Sequence, residues 1–164
     1  MSNRKWRFGG FAGMARHEEA GQSLVELALT VPVLLLLLLG AAELARVAYA
    51  AIEVSNAAEA AVRYGAQNSS TADPENWPAI QATAETDAAN LPLTSVTPAI
   101  ECGCSNDSLS GQSCTGFTIA NCPGSHPVET LTVTTTANFD PLIHIPGLPK
   151  SFTLTGRAIQ KVLY

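Results

Sequence analysis

The chain has 164 residues, about one domain's worth of sequence, so a membrane segment and one small folded unit would nearly fill it. This length leaves no room for two enzymatic domains. A net charge of -5 argues against a nucleic-acid partner, because contacts to phosphates need a clustered basic face and the sequence has none.

The basic residues crowd the start of the chain. Of 9 Lys and Arg residues 4 precede Gly21, whereas only 2 of the 14 acidic residues do. Such a bias beside an apolar segment predicts that the N-terminal flank stays in the cytoplasm. The rest of the chain, with 5 basic and 12 acidic residues, then lies outside. Residues 1–21 have no sustained period, which predicts a cytoplasmic leader that is disordered or removed.

An apolar segment follows the leader. Residues 27–42 carry no charge and are almost wholly apolar, but as a helix they span only about 24 Å. A bilayer core of about 30 Å needs roughly 20 residues, so the span works only if it also takes in residues 22–26. The sequence therefore predicts a transmembrane helix over residues 22–44, with Glu26 inside the membrane or at its edge.

Beyond this segment the pattern stays helical and becomes amphipathic over residues 45–66, which are rich in alanine, the best helix former. Gly65 and the polar run at residues 67–70 predict the end of this helix, which is expected outside the cytoplasm. One apolar stripe of mostly small residues recurs at steps of three and four and is predicted to face a sheet. Its members are Leu44, Val47, Ala48, Ala51, Ser55, Ala58 and Val62.

Residues 67–164 are predicted to form an α+β head outside the cytoplasm. Asp73 and Pro74 predict the start of a second, short helix, and Asn90 and Pro92 its end. The predicted buried face of this helix comprises Trp77, Ile80, Ala84, Ala88 and Leu91. Segments rich in Thr, Val and Ile at residues 95–102, 130–137 and 152–159 predict strands. The expected fold is a long N-terminal transmembrane and amphipathic helix packed on a small antiparallel sheet.

The cysteines are Cys102, Cys104, Cys114 and Cys122, all in the part predicted to lie outside the cytoplasm, where disulfides persist. They predict two bridges in a disulfide loop over residues 102–122. Cys102 and Cys104 flank a single glycine and are not expected to pair with each other, which leaves two connectivities open. Zinc would favour a C-x-x-C spacing, which is absent, so we expect no metal and no cofactor. No catalytic set of residues is found, and no serine lies in a nucleophile-elbow context.

The stretch GQSLVE, from Gly21 to Glu26, is the most informative part of the sequence. A carboxylate in a membrane helix is disfavoured by about 2.5 to 3.5 kcal/mol at mid-membrane and by less near an edge, so Glu26 needs a partner. If a peptidase cuts after Gly21, the new α-amino group of Gln22 supplies a positive charge. Glu26 lies four residues along on the same helix face. The amine and the carboxylate can then neutralise each other within one helix or between neighbours.

This stretch, followed by LALTVPVLLLLLLGAAELARVAY, resembles the N-terminal segment of TadE-like proteins of the Tad pilus system. LTVTTTANFDPL and SFTLTGRAIQKV, in the C-terminal half, are also similar to that family. The resemblance implies a pilin-like fold and a single pass through the bacterial inner membrane. Leu27 stands where the major pilins commonly have tyrosine, so the chain does not look like the major pilin.

The function implied by the resemblance is that of a pseudopilin or minor pilin, not an enzyme, in Tad (type IVb) pilus assembly and surface adherence. A prepilin peptidase would cut after Gly21, leaving Gln22 as the first residue, and Glu26 would act in assembly. The implied partners are that peptidase, other pilins or pseudopilins, the Tad inner-membrane assembly platform and membrane lipid.

Two other interpretations stay open. A secreted adhesive or binding domain could carry an ordinary signal peptide cut at Ala48-Tyr49-Ala50, although Glu43 and Arg46 then separate the apolar segment from the cut and such peptides usually have about 15 to 30 residues. A membrane-anchored binding domain would keep its anchor uncut. Sequencing the mature N-terminus distinguishes the three.

Overall fold

The computed structural model describes residues 15–106, 110–143 and 149–163, with residues 15–20 described by their backbone alone. The chain divides into two units, residues 1–42 and residues 43–164. Of the predicted leader, residues 1–14 lie outside the described residues.

Helix α1 comprises Ala15–Gly65. It therefore begins inside the predicted leader, not at Gln22, and it runs through Gly21 without a break. A single glycine costs a helix only about 1 kcal/mol. Alanine, arginine and glutamate near Gly21 are good helix formers, so the helix of the uncut chain continues through this position. In the first unit, all residues from 21 to 42 are exposed.

The predicted end of α1 at Gly65 is confirmed. A side chain at this position would run into its surroundings, because an added Cβ would lie 2.7 Å from Ile80 Cδ1 and closer still to a methyl group of Leu131. Shortly after this end, Ser69–Ala72 form a one-turn helix, α2, which the sequence did not predict. Asn68 starts it, since its side chain accepts the Thr71 N–H at 2.9 Å.

The second predicted helix is present. A 3-10 turn, Pro74–Asn76, leads into helix α3, Trp77–Asp87, and the Asp73 carboxylate accepts the Glu75 N–H at 3.1 Å. The predicted face is the buried one, although α3 ends before Asn90. Ile80, Ala84 and Ala88 are buried, while Trp77 and Leu91 are half-buried.

The head contains a three-stranded antiparallel sheet in the order β1-β2-β3, formed by Leu93–Cys104, Pro127–Phe139 and Phe152–Lys161. All three predicted strands are present, and each is longer than predicted. Cys104 pairs with Pro127 at one end of the sheet, and Phe139 pairs with Phe152 at the other. The predicted α+β fold, a long helix packed on a small antiparallel sheet, is confirmed.

The core of the head lies between one face of the sheet and the second half of α1. On β2 the core-facing residues are Leu131, Val133, Thr135, Ala137 and Phe139, all buried, as the predicted alternation required. The helix contributes Ala57, Ala58, Ala61 and Val62 to the same cluster, and β3 contributes Ala158.

The predicted stripe on α1 is wrong for most of its members. Leu44, Ala48 and Ser55 are exposed, Val47 and Ala51 are half-buried, and only Ala58 and Val62 are buried. The buried face instead comprises Ala50, Glu53, Val54, Ala57, Ala58, Ala61 and Val62. Alanine occurs on almost every side of this helix, so its apolar period does not fix which side faces the sheet.

The helix and the sheet make a close contact at Val54. The Thr135 hydroxyl donates a hydrogen bond to the Val54 carbonyl oxygen at 2.7 Å, and Thr135 is fully buried. Gly156, on β3, lies beside this bond, because an added Cβ there would be 2.5 Å from the same carbonyl oxygen and 2.8 Å from Thr135 Oγ1. The close packing of α1 on β3 therefore depends on a glycine at position 156.

Candidate processing and assembly site

Gly21 lies on α1 with open space around it. An added Cβ would have no heavy atom within 4 Å, apart from the helix's own neighbouring backbone. Packing within the described chain therefore does not require glycine here. A requirement for glycine at this position would come from a molecule that binds the segment.

Gln22 and Glu26 are one helical turn apart on α1, both exposed. The Glu26 carboxylate has no hydrogen bond or ion pair with any residue in the described ranges, whereas the Glu26 carbonyl oxygen accepts the Thr30 hydroxyl at 2.9 Å. Helical geometry puts residues four apart on one face, so a charged amine at Gln22 would lie near the carboxylate. In the uncut chain that position carries an uncharged peptide nitrogen.

The part of α1 from Gly21 to Gly65 contains a stretch that is long and apolar enough to cross a membrane. The leucines at positions 34 to 39 are 54% to 70% exposed, so none of them is buried in a core formed by the described residues. Exposed leucines in a row are stable only in an apolar surrounding. This is consistent with a single-pass membrane anchor, although a signal sequence near an N-terminus has the same properties.

Residues 21–63 match the family model described as TadE-like protein. The chain is TadE-like over this segment. The family resemblance predicted from the GQSLVE stretch is thereby confirmed over this segment, and the match begins at Gly21 itself and includes Gln22 and Glu26. TadE-like proteins are structural pilus components and not a known enzyme family. No curated protein and no solved structure matches the chain.

The TadE-like segment runs past the apolar residues into the head, where it includes the buried alanines of α1. The C-terminal similarity proposed for LTVTTTANFDPL and SFTLTGRAIQKV lies outside the matched range and stays a prediction. So do cleavage after Gly21 and the assembly role of Glu26.

Both predicted disulfides are present, and they use one of the two connectivities left open: Cys102 with Cys114, and Cys104 with Cys122. Cys102 and Cys104 both lie in the last three residues of β1, so both bridges tie the end of this strand to the loop that follows it. Cys102 is also bridged to Gln112 by two backbone hydrogen bonds of 2.8 and 3.0 Å. Within the described ranges no group of three or more His, Cys, Asp or Glu residues is placed to hold a metal.

We expect the native protein to show no reactive thiol until it is reduced. Closing loops of this size stabilises a fold by about 3 kcal/mol each, so reduction should loosen the disulfide loop, whereas the helical circular dichroism should persist because neither bridge includes a residue of α1. Alkylation followed by mass spectrometry measures the thiols.

Paired variants test the connectivity. Cys104→Ser with Cys122→Ser should leave one bridge and no free thiol, whereas Cys104→Ser with Cys114→Ser should leave two reactive thiols. The opposite labelling pattern would contradict the pairing, and quantitative labelling of the unmodified protein would contradict both bridges.

A second cluster, which we call the Glu43 cluster, joins α1 to the end of β2; it consists of Glu43, Arg46, Phe139 and Leu142. The Arg46 guanidinium bonds to the Glu43 carboxylate at 3.0 Å and lies 5.2 Å from the centre of the Phe139 ring, within cation-π range. The Leu142 N–H donates to Glu43 Oε1 at 2.7 Å. The helical spacing of Glu43 and Arg46 indicates an ion pair between them, but nothing in the sequence indicates the other two residues, which are almost a hundred positions away.

Proposed function

We propose that this chain is a pseudopilin or minor pilin of the Tad pilus system, anchored in the bacterial inner membrane by the TadE-like segment. Its N-terminus lies in the cytoplasm and its α+β head outside. A prepilin peptidase removes residues 1–21, and the new amine of Gln22 pairs with the carboxylate of Glu26. The chain then acts in pilus assembly with other pilins or pseudopilins and the inner-membrane assembly platform.

The observation that carries this proposal is the family match over residues 21–63, which starts at the proposed cut. The two disulfides support a head outside the cytoplasm, where such bridges form and persist. The excess of basic residues before the apolar segment supports the same orientation.

The packing of α1 argues against an ordinary signal peptide. A cut after Ala50 would remove Ala50, which is buried in the head, and would also separate Glu43 and Arg46 from Phe139 and Leu142. Residues of α1 on both sides of Ala50 therefore contact the rest of the head. A helix that stays attached to the head fits a pilin-like subunit better than a discarded targeting peptide.

Substituting Glu26 with glutamine tests the assembly role. Glutamine keeps the shape and removes the charge that would neutralise the Gln22 amine, so membrane insertion and cleavage after Gly21 should persist. Pilus number per cell, counted by electron microscopy, and co-purification of other pilins should fall by about tenfold, the factor that corresponds to about 1.4 kcal/mol of lost pairing.

Glu59→Gln is the matched control. Glu59 is also an exposed glutamate on α1, but it lies outside the apolar segment and pairs with Arg63 at 2.7 Å, and surface pairs of this kind contribute little. It should leave piliation unchanged. Normal piliation in the Glu26→Gln strain would remove Glu26 from assembly.

A further inference from the structure

Two apolar side chains project from the head just after β2. Leu142 is 72% exposed and Ile143 is 41% exposed, although Phe139, three residues before Leu142, is buried. Phe152, the first residue of β3 and the pairing partner of Phe139, is also partly exposed. The same end of the sheet thus carries three uncovered apolar residues among the described ones.

The backbone of this exposed pair is held to α1 by a hydrogen bond at Leu142. The Leu142 N–H is bound to the Glu43 carboxylate, and that carboxylate is held in turn by Arg46, which lies over the Phe139 ring. A charge-assisted hydrogen bond of this kind is stronger than one between neutral groups. The Glu43 cluster therefore fixes the backbone of Leu142 beside the first turn of α1 in the head.

Glu43 is also the first charged residue after the apolar segment. It directly follows Ala42, where the uncharged apolar segment ends, and the neighbouring Leu44 is itself exposed. In a chain anchored by that segment, the first charged residue marks the level of the membrane surface. The backbone tied to Glu43 then lies at the same level.

We propose that Leu142 and Ile143 insert into the lipid surface on the outer side of the membrane, so that the head is held there by a second contact besides the helix. This inference rests on the proposed membrane anchoring. The occupant is lipid and the contact is apolar, because the charged residues that the structure describes beside the pair are the acidic Asp140 and Glu43 and one cation, Arg46, which is already bound to Glu43. Zwitterionic lipid is sufficient.

A tryptophan in place of Leu142 tests the contact. The full chain carrying Leu142→Trp is reconstituted in phosphatidylcholine vesicles with or without bromine near the headgroup end of the acyl chains. Since tryptophan is stable at the membrane interface, we expect bromine to quench the added fluorescence at least about twofold more than that of a control tryptophan in solvent. Fluorescence of the unsubstituted chain is subtracted to remove the contribution of the native tryptophans.

Ile119→Trp provides the control. Ile119 is about as exposed as Leu142, but it lies between Cys114 and Cys122, in the loop bridged to the Cys104 end of β1. The two ends of β2 are separated by about 40 Å at 3.3 Å per residue. The Ile119→Trp signal should not respond to bromine.

The hydrogen bond between the Leu142 N–H and the Glu43 carboxylate allows a second measurement. Glu43→Ala in the Leu142→Trp chain removes the acceptor of the Leu142 N–H, so quenching should fall toward the control value while the helical circular dichroism stays the same. Equal quenching for Leu142→Trp and Ile119→Trp, in vesicles from which alkaline carbonate does not extract the protein, would overturn the lipid contact and leave the anchoring intact. Extraction by carbonate would overturn the anchoring and this inference with it.

Discussion

Replacing Gly21 with leucine is expected to leave the uncut, full-length chain in the membrane. The described chain leaves the space around Gly21 open, so leucine fits the helix and even favours it. A peptidase that binds the segment closely at the membrane surface has no room for the added side chain. In the unsubstituted strain, N-terminal sequencing should give Gln22 as the first residue.

Gly40→Leu is the matched control, because Gly40 lies on the same helix with the same open surroundings. That variant should be cut normally, which would show that a leucine on α1 does not itself prevent insertion. The measurement is the electrophoretic size of the membrane-bound protein, with and without the peptidase. A mature N-terminus at Met1 or Ala51 in the unsubstituted chain, or normal cutting of Gly21→Leu, would refute processing at this site.

Replacing Gly156 with valine is expected to cost the head about 3 kcal/mol of folding free energy, at the upper end of overpacking effects. The first added atom alone would lie 2.5 Å from the Val54 carbonyl oxygen, and backbone cannot rotate away as a side chain can. Moving α1 outward would also lengthen the hydrogen bond that the Thr135 hydroxyl donates to that oxygen, and weakening the bond of a fully buried hydroxyl is costly. The melting temperature should fall by roughly 10 °C.

Thr155→Val serves as the control, since Thr155 is the neighbouring residue on β3 but is exposed. Its effect should stay within about 0.5 kcal/mol. Thermal unfolding followed by circular dichroism, on the full chain in detergent with the disulfides intact, compares the two. Equal melting temperatures for Gly156→Val and Thr155→Val would mean that α1 does not approach β3 as closely as described.

The parts of the fold that the sequence predicted are those with a strong local signal. The alternation of Leu131, Val133 and Thr135 with polar neighbours identifies both the strand and its buried face, because a strand has only two faces. Gly65 followed by polar residues locates the end of α1. The apolar segment and the GQSLVE motif likewise depend on order along the chain alone.

The parts of the fold that the sequence did not predict depend on contacts between distant residues. An alanine-rich helix offers similar faces in several directions, and the choice among them is made by groups such as Thr135 and Gly156 on the strands. The same holds for the Glu43 cluster, since nothing around Leu142 indicates that its N–H will meet a carboxylate on α1. The pairing of Cys102 with Cys114 could not be chosen from spacing, because the path of the loop decides it.

The contribution of β3 to the core has a consequence for biogenesis. The alanine face of α1 is synthesised about 100 residues before Ala158, so at roughly 5 to 20 residues per second it waits on the order of 10 s for the strand that covers it. Throughout that interval the nascent chain presents an uncovered helix and unpaired strands, which are prone to aggregate. A chaperone that binds such chains would therefore raise the yield of folded protein.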